Sequence, residues 1–357
     1  MAWSRFVAGA IPLIMLFSAA LPMLAVNGAS SPVAKVPVRI ATAEKLRNDV
    51  EYFSRIGERN YTRPGALIKS AKYIRERFSK AGLEVEELKY QVNDTKKMPL
   101  KFPHATLPKK EFTNIIGSVV GTKYPEEIII VGAHYDTPML ENGQGADDNA
   151  SGLAGMLALA EYFGKNPQER TIRFIAFANE EMPFFNTKDM GSYRCAANSA
   201  ALQEKVVAMI ALECIGYFSE EKNSQKIPLE LKLENPPRIG NFIAIIGNEN
   251  ENALVEQTVA AFKQGSNLPV IGLAASFEIA GLGWSDHASY AKFNIPAIMI
   301  TDTALLRNSN YHQLSDTPET LNYEKMNQVV VGTAQIIHNL ALGGEGKSEK
   351  NKSFLKY

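Results

Sequence analysis

Three short motifs put metal-ligating side chains at the ends of apolar runs. Val131-Gly132-Ala133-His134-Tyr135-Asp136 closes one run with an imidazole and a carboxylate. Gly145-Ala146-Asp147-Asp148-Asn149 carries two adjacent acids, and Asn179-Glu180-Glu181 follows directly on Phe174-Ile175-Ala176-Phe177-Ala178. Glu213 ends the run from Val206 to Leu212, and His312 lies in Asn310-Tyr311-His312-Gln313. Imidazole nitrogen and carboxylate oxygen are the ligands of a hydrolytic zinc ion, so these positions offer five ligands and a spare carboxylate. Two acids at the end of a buried strand are costly unless cations offset their charge, which sets Glu180 and Glu181 apart from a solvated acidic pair. Asp136 falls two residues after His134, on the same side of an extended segment, where a carboxylate can fix the tautomer of a liganding imidazole.

Strands and helices alternate along the chain that must position these groups. Helical spacing marks Thr42 to Arg59 and Pro64 to Ala81, for example Leu46, Val50, Phe53 and Ile56. Thr113 to Val120 and Glu127 to Ala133 are β-rich and separated by Gly121 to Pro125, which predicts an antiparallel hairpin at a sheet edge. Ser151 to Phe163 reads as a helix buried on much of its surface, Thr171 to Ala178 as a strand, Met190 to Gln203 as a helix and Val206 to Leu212 as a strand. Phe242 to Ile246 is a strand, Asn250 to Gln264 a helix, Pro296 to Thr301 a strand and Tyr323 to Leu340 the last helix. This alternation predicts an α/β layer fold whose central sheet is mostly parallel, with ligands bound at the carboxyl ends of its strands. His134, Glu180, Glu181 and Glu213 all fall there. The proline-rich stretch from Tyr217 to Asn241 follows Glu213 and is expected to loop over the site.

HxD, then GADDNxSG, then Glu-Glu after a strand, then an acid followed by Ile-Gly, then a late Tyr-His, in this order, resembles the co-catalytic two-zinc exopeptidases. These are the secreted bacterial aminopeptidases and their glutamate carboxypeptidase relatives. The resemblance covers roughly residues 40 to 340. It implies a three-layer α/β/α sandwich around a mostly parallel mixed sheet, and two Zn2+ per chain. Aligned on Ser151-Gly152, Asp148 takes the bridging position and Asp147 is a neighbour. By the same resemblance His134, Glu181 and Asp148 hold one zinc, Asp148, Glu213 and His312 hold the other, and Glu180 is the general base. A cis peptide at Asp148-Asn149 is also implied. The chain departs from many aminopeptidases of the family in carrying Glu213 where they have Asp.

The implied activity is removal of N-terminal residues from peptides. Carboxypeptidase or dipeptidase action is the alternative, with Arg238 and Arg307 as candidate clamps for a terminal carboxylate. Single-zinc members of the fold cyclise N-terminal glutamine, and others are receptors without metals; five intact ligand positions and Glu180 argue against both.

The 357 residues hold 38 Lys plus Arg against 38 Asp plus Glu, a balance that favours no nucleic-acid partner. Residues 1–29, with Arg5 before an apolar stretch from Phe6 to Val26, read as an export signal, or as an uncleaved anchor that would be the chain's one membrane attachment. Residues 30–40 read as a linker, 41–342 as the catalytic domain and 343–357 as a lysine-rich tail without order. Cys195 and Cys214 read as buried free thiols, with a disulfide permitted and the Cys214 side chain facing away from the metal. Trp284-Ser285-Asp286-His287 reads as pocket wall or structural support, and His104 and His338 as structural or exposed.

Overall fold

In the computed structural model, the described residues are 35–36, 40–92 and 111–343. The leader, most of the linker, His104 and the tail from 344 lie outside them. Within the linker, Val36 is buried and its N–H donates to Gln335 Oε1 at 2.8 Å.

Thr42 caps α1 (Ala43–Ile56) by accepting the Lys45 N–H, and Leu46, Val50 and Phe53 form its buried stripe. Pro64 opens α2 (Pro64–Lys80), where a missing N–H costs nothing. Then come β1 (Glu84–Gln91), β2 (Glu111–Val119), β3 (Tyr124–His134), α3 (Gly152–Lys165), β4 (Arg170–Phe177), α4 (Gly191–Ala201) and β5 (Lys205–Glu213). The chain continues through β6 (Ile243–Gly247), α5 (Asn252–Gly265), β7 (Val270–Ala274), α6 (His287–Ala291), β8 (Ala297–Thr301) and α7 (Tyr323–Ala341). Among the described residues no helix is long and apolar enough to cross a membrane.

One eight-stranded sheet runs in the order β1-β2-β4-β3-β5-β8-β6-β7. Its centre, β4, β3, β5 and β8, is parallel, and β2 on β4 and β6 on β8 are antiparallel, so the sheet is mixed and mostly parallel as the alternation implied. Alternate strand residues face opposite layers. Ile129, Val131, Phe174 and Ile210 pack with α1, α2, α3, α5 and α7, whereas Ile128, Ile130, Phe177 and Met209 pack toward α4 and α6. The result is the three-layer sandwich.

β2 and β3 do not form the expected hairpin, because β4 lies between them. The connection crosses the start of β4 instead of turning back: Gly121 N donates to Thr171 Oγ1, Thr122 N to Gln168 O and Lys123 N to Glu169 O. A Cβ at Gly121 would meet the Glu169 to Thr171 backbone at 2.6 Å, so glycine permits this approach. The edge strands β1 and β7 had no counterpart in the sequence reading. β1 is mostly exposed and charged, which suits an edge.

Candidate active site

His134 ends β3 and Glu213 ends the neighbouring parallel strand β5. Two residues past the register pair Gly132–Ala211 they stand level, with His134 Nε2 3.2 Å from Glu213 Oε2. Past the end of β4, Asn179 takes a left-handed turn (φ 60°) and leads to Glu180 and Glu181. Asp136 fixes that turn: Oδ1 accepts the Glu180 N–H and Oδ2 the Glu181 N–H, each at 3.0 Å. This differs from the role expected of Asp136. Its carboxylate serves the Glu pair first, and His134 Nδ1 lies 3.2 Å from the Asp136 backbone oxygen but 3.6 Å from Oδ1. Either contact leaves the Nε2 lone pair for a ligand.

Asp148 sits in the irregular turn Ala146–Ser151 that starts α3, and the Asp148-Asn149 peptide is cis, as the resemblance implied. Asp316 accepts the N–H groups of Asp147 and Asp148, and Asn149 bridges Leu212 O and Cys214 N. The Asp147 carboxylate turns to Gly216 N and Asn308 Nδ2, outside the metal cluster. The Asp148 oxygens diverge: Oδ1 is 3.3 Å from His134 Nε2 and Oδ2 is 3.0 Å from His312 Nε2. His312, stacked on Tyr311 with ring centres 4.0 Å apart, also faces Glu181 Oε1 at 3.5 Å.

All five expected ligands thus meet, but in a different partition. The resemblance paired Glu181 with His134 and Glu213 with His312. The structure groups His134, Asp148 and Glu213, and separately Asp148, Glu181 and His312. β3 has β4 on one side and β5 on the other, so strand order alone does not choose: Glu213, the last residue of β5, stands level with His134, whereas Glu181 lies past the end of β4 in a turn that reaches the His312 loop.

A cation fits this pocket. His134 Nε2, Asp148 Oδ2 and Glu181 Oε1 are buried with no hydrogen-bond partner. Asp136, Asp148, Glu180, Glu181 and Glu213 are all buried together, and burying such charges without cations is prohibitive. Burial pushes the Glu180 carboxyl well above its ordinary range, and Glu181 up to about 7. Burial also opposes ionisation of Asp148, but the His134 and His312 imidazoles facing it outweigh that and hold it below the usual carboxylate range. Both groups have the imidazole and carboxylate donors suited to zinc. The Glu180 carboxylate takes no hydrogen bond from the described residues.

Several contributors escaped sequence reasoning. Ser285 Oγ donates to Glu213 Oε2 at 2.8 Å, giving Trp284-Ser285-Asp286-His287 a direct contact with a candidate ligand. Cys214 does not face away: in a left-handed conformation (φ 49°) that breaks strand alternation, its thiol donates to Glu213 Oε1 at 3.0 Å. Both cysteines are free and buried. Arg59, fully buried, spends its guanidinium on the carbonyls of Phe53, Gly57, Tyr135, Gln144 and Gly145, tying the segment that carries His134 to the turn that carries Asp148. Burial lowers its pKa to about 10. His287 is buried, with Nε2 on Leu282 O, and His338 is half-buried against Gln168.

Residues 114–337 match the sequence profile of Peptidase family M28. The chain belongs to that family. It is 35% identical over 333 residues to the uncharacterized protein YfbL of Escherichia coli K12, covering 91% of this chain and 97% of that protein. It is 25% identical to a probable leucine aminopeptidase of Trichophyton verrucosum, over 84% of this chain and 73% of the relative. BSAP, a zinc aminopeptidase from Bacillus subtilis, superposes with a TM-score of 0.66 at 16% identity, covering 88% of this chain and 98% of that one, which shows a shared fold. This M28 chain is therefore a metallopeptidase, and zinc is the metal its family implies.

Proposed function

We propose that this M28 chain is an exported exopeptidase that binds two zinc ions and releases N-terminal residues from peptides, with Glu180 as general base. The observation that carries it is the divergence of the Asp148 oxygens toward two histidines, each with its own glutamate. When bound, a metal pair polarises the scissile carbonyl and brings the pKa of an attacking water toward ~7. His134, Asp148 and Glu213 would hold one ion, and Asp148, Glu181 and His312 the other. Glu180, held by its own N–H on Asp136, takes the water's proton and returns it to the leaving amine.

Polarity follows from the charges around the site. The crowded carboxylates favour a substrate's free amine and repel its carboxylate unless a basic clamp compensates. Neither candidate clamp supplies one: Arg307 is buried on Gln225, Tyr217 O and Phe242 O, and Arg238 is exposed on the excursion. Hydrolysis of free-amine, N-acetylated and free-carboxylate peptides tests the reading. Acetylation is expected to abolish cleavage; acetylated peptides shortened from the carboxyl end as fast as free ones would establish a carboxypeptidase instead. Export rests on the leader sequence, and fractionation that leaves the intact precursor in the cytosol would overturn it.

A further inference from the structure

The two edges of the sheet are protected differently. At one, β1 carries Glu84, Glu86, Glu87 and Lys89, charges of the kind by which an edge strand resists pairing with another chain. At the other, β7 reads Val270-Ile271-Gly272-Leu273-Ala274, with no charge, no proline and no bulge, and none of its five residues is buried. Its outward backbone groups are open as well. Pro269 O accepts the Ile243 N–H and Ala275 N donates to Gly247 O, so the odd-numbered positions turn toward β6. By alternation Val270, Gly272 and Ala274 turn their N–H and C=O groups outward, and among the described residues nothing bonds them there.

The helix α5 lies over this edge. A Cβ on Gly272 would meet Val259 Cγ2 at 2.7 Å and Val255 Cγ1 at 2.8 Å, so the helix packs directly on the middle of the strand. Phe262 and Gly265 face α7, against Gly332 and Gln335. With the strand on one side of the helix and α7 on another, the helical repeat sends Asn252, Glu256 and Lys263 to the outer side beyond β7, and all three are exposed. Asn252 Nδ2 donates to Glu256 Oε1 at 3.0 Å, and among the described residues neither Glu256 nor Lys263 makes an ion pair.

We propose that β7 pairs antiparallel with the β7 of a second copy of this chain, joining the two eight-stranded sheets, with Glu256 of each copy set against Lys263 of the other. A two-fold axis normal to the sheet at Gly272 matches Val270 with the other copy's Ala274 and makes about six backbone hydrogen bonds. The same axis passes beside Val259 and lays the two α5 helices antiparallel. Glu256 stands three residues before Val259 and Lys263 four after it, so the acid of each copy falls opposite the lysine of the other. That self-complementarity is what selects a second copy as the occupant of the edge. The two crevices, at the carboxyl ends of the central strands, then open toward opposite ends of the joined sheet.

The test is a charge exchange read by sedimentation velocity of the purified protein over a wide range of concentrations. Wild type is expected to show a monomer–dimer equilibrium. Glu256→Lys and Lys263→Glu each set like charges against each other at both ends of the helix pair, and each should raise the dimer Kd by about tenfold or more. The double variant restores opposite charges and should return Kd to within about threefold of wild type. Both positions are on an exposed helix face, so the fold is not at stake. Hydrogen exchange locates the contact: the Gly272 and Ala274 amides should be protected in the wild-type dimer and exchange freely in Glu256→Lys at the same concentration. A wild type that stays monomeric throughout, a dimer that both single variants leave intact, or a double variant no tighter than the singles overturns the pairing. So does a dimer in which exchange at β7 is unchanged.

Discussion

Replacing Asp136 by asparagine isolates the geometry that holds the two glutamates. Each Asp136 oxygen accepts one backbone N–H, from Glu180 and from Glu181, at 3.0 Å. An amide keeps one oxygen and turns its NH2 toward the other N–H, donor against donor. The retained bond loses its charge assistance, about 1 kcal/mol, and the other N–H is left buried and unsatisfied, about 2 kcal/mol, so Asp136→Asn is expected to destabilise the metal-free protein by about 3 kcal/mol. For a chain of this size that is a fall in Tm of about 5 °C. Metal affinity separates this from a general loss of packing. Glu181 faces Asp148 and His312, whereas Glu213 stands on its own strand beside His134. Competition against a chromophoric chelator should therefore show zinc weakened by about tenfold or more at the Glu181 group, the range for loss of a supporting carboxylate. The Glu213 group should change by less than about threefold. Wild-type Tm with both affinities intact would refute the reasoning, and equal weakening at both groups would show that Asp136 supports the whole crevice instead of this turn.

Three further outcomes are expected. Glu180→Gln should keep its zinc and its Tm while turnover falls at least ~100-fold, measured with a free-amine peptide; loss of metal would mean that Glu180 is a ligand. Arg59→Met orphans five carbonyls and removes a buried cation from the carboxylate cluster, so thermal unfolding should show a loss of several kcal/mol that Arg59→Lys only partly restores. His287 has its pKa lowered by burial to about 4, so the folded state resists its protonation. Its effect is absent above the ordinary value of about 6.5 and costs up to about 3 kcal/mol as pH falls from there toward 4. Urea midpoints of metal-free wild type between pH 7 and 4.5 should fall more steeply than those of His287→Gln.

The sequence exposed what local rules control. His134, Glu180, Glu181 and Glu213 follow apolar runs, and an apolar run that ends in a polar cluster marks a strand's carboxyl end. Which glutamate meets which histidine depends on how far each stands beyond its strand's end and on where the His312 loop returns, and no local pattern shows either. Cys214 shows the limit of alternation: one left-handed residue sends its thiol to the carboxylate it was expected to avoid. Arg59 sits among charged and polar neighbours that suggest an exposed loop, and its burial follows from five carbonyls that only the folded chain brings together. Ser285 lies 72 positions from the carboxylate it touches. Charged β1 and short β7 lack the apolar signal by which strands are found.

The span of the ligands along the chain has a consequence for when the site exists. His134 is supplied by the third strand, Glu213 by the fifth, and His312 only after the eighth, while Asp148 is held in place by Asp316. A chain still emerging from the ribosome at residue 300 has its first histidine and all its glutamates but neither His312 nor the acid that fixes Asp148. Closing such distant loops comes late in folding, because their entropy is spent before the final contacts repay it. The group that needs His312 is thus among the last parts to be completed. Occupancy of that group would then report that the chain has folded as far as Asp316.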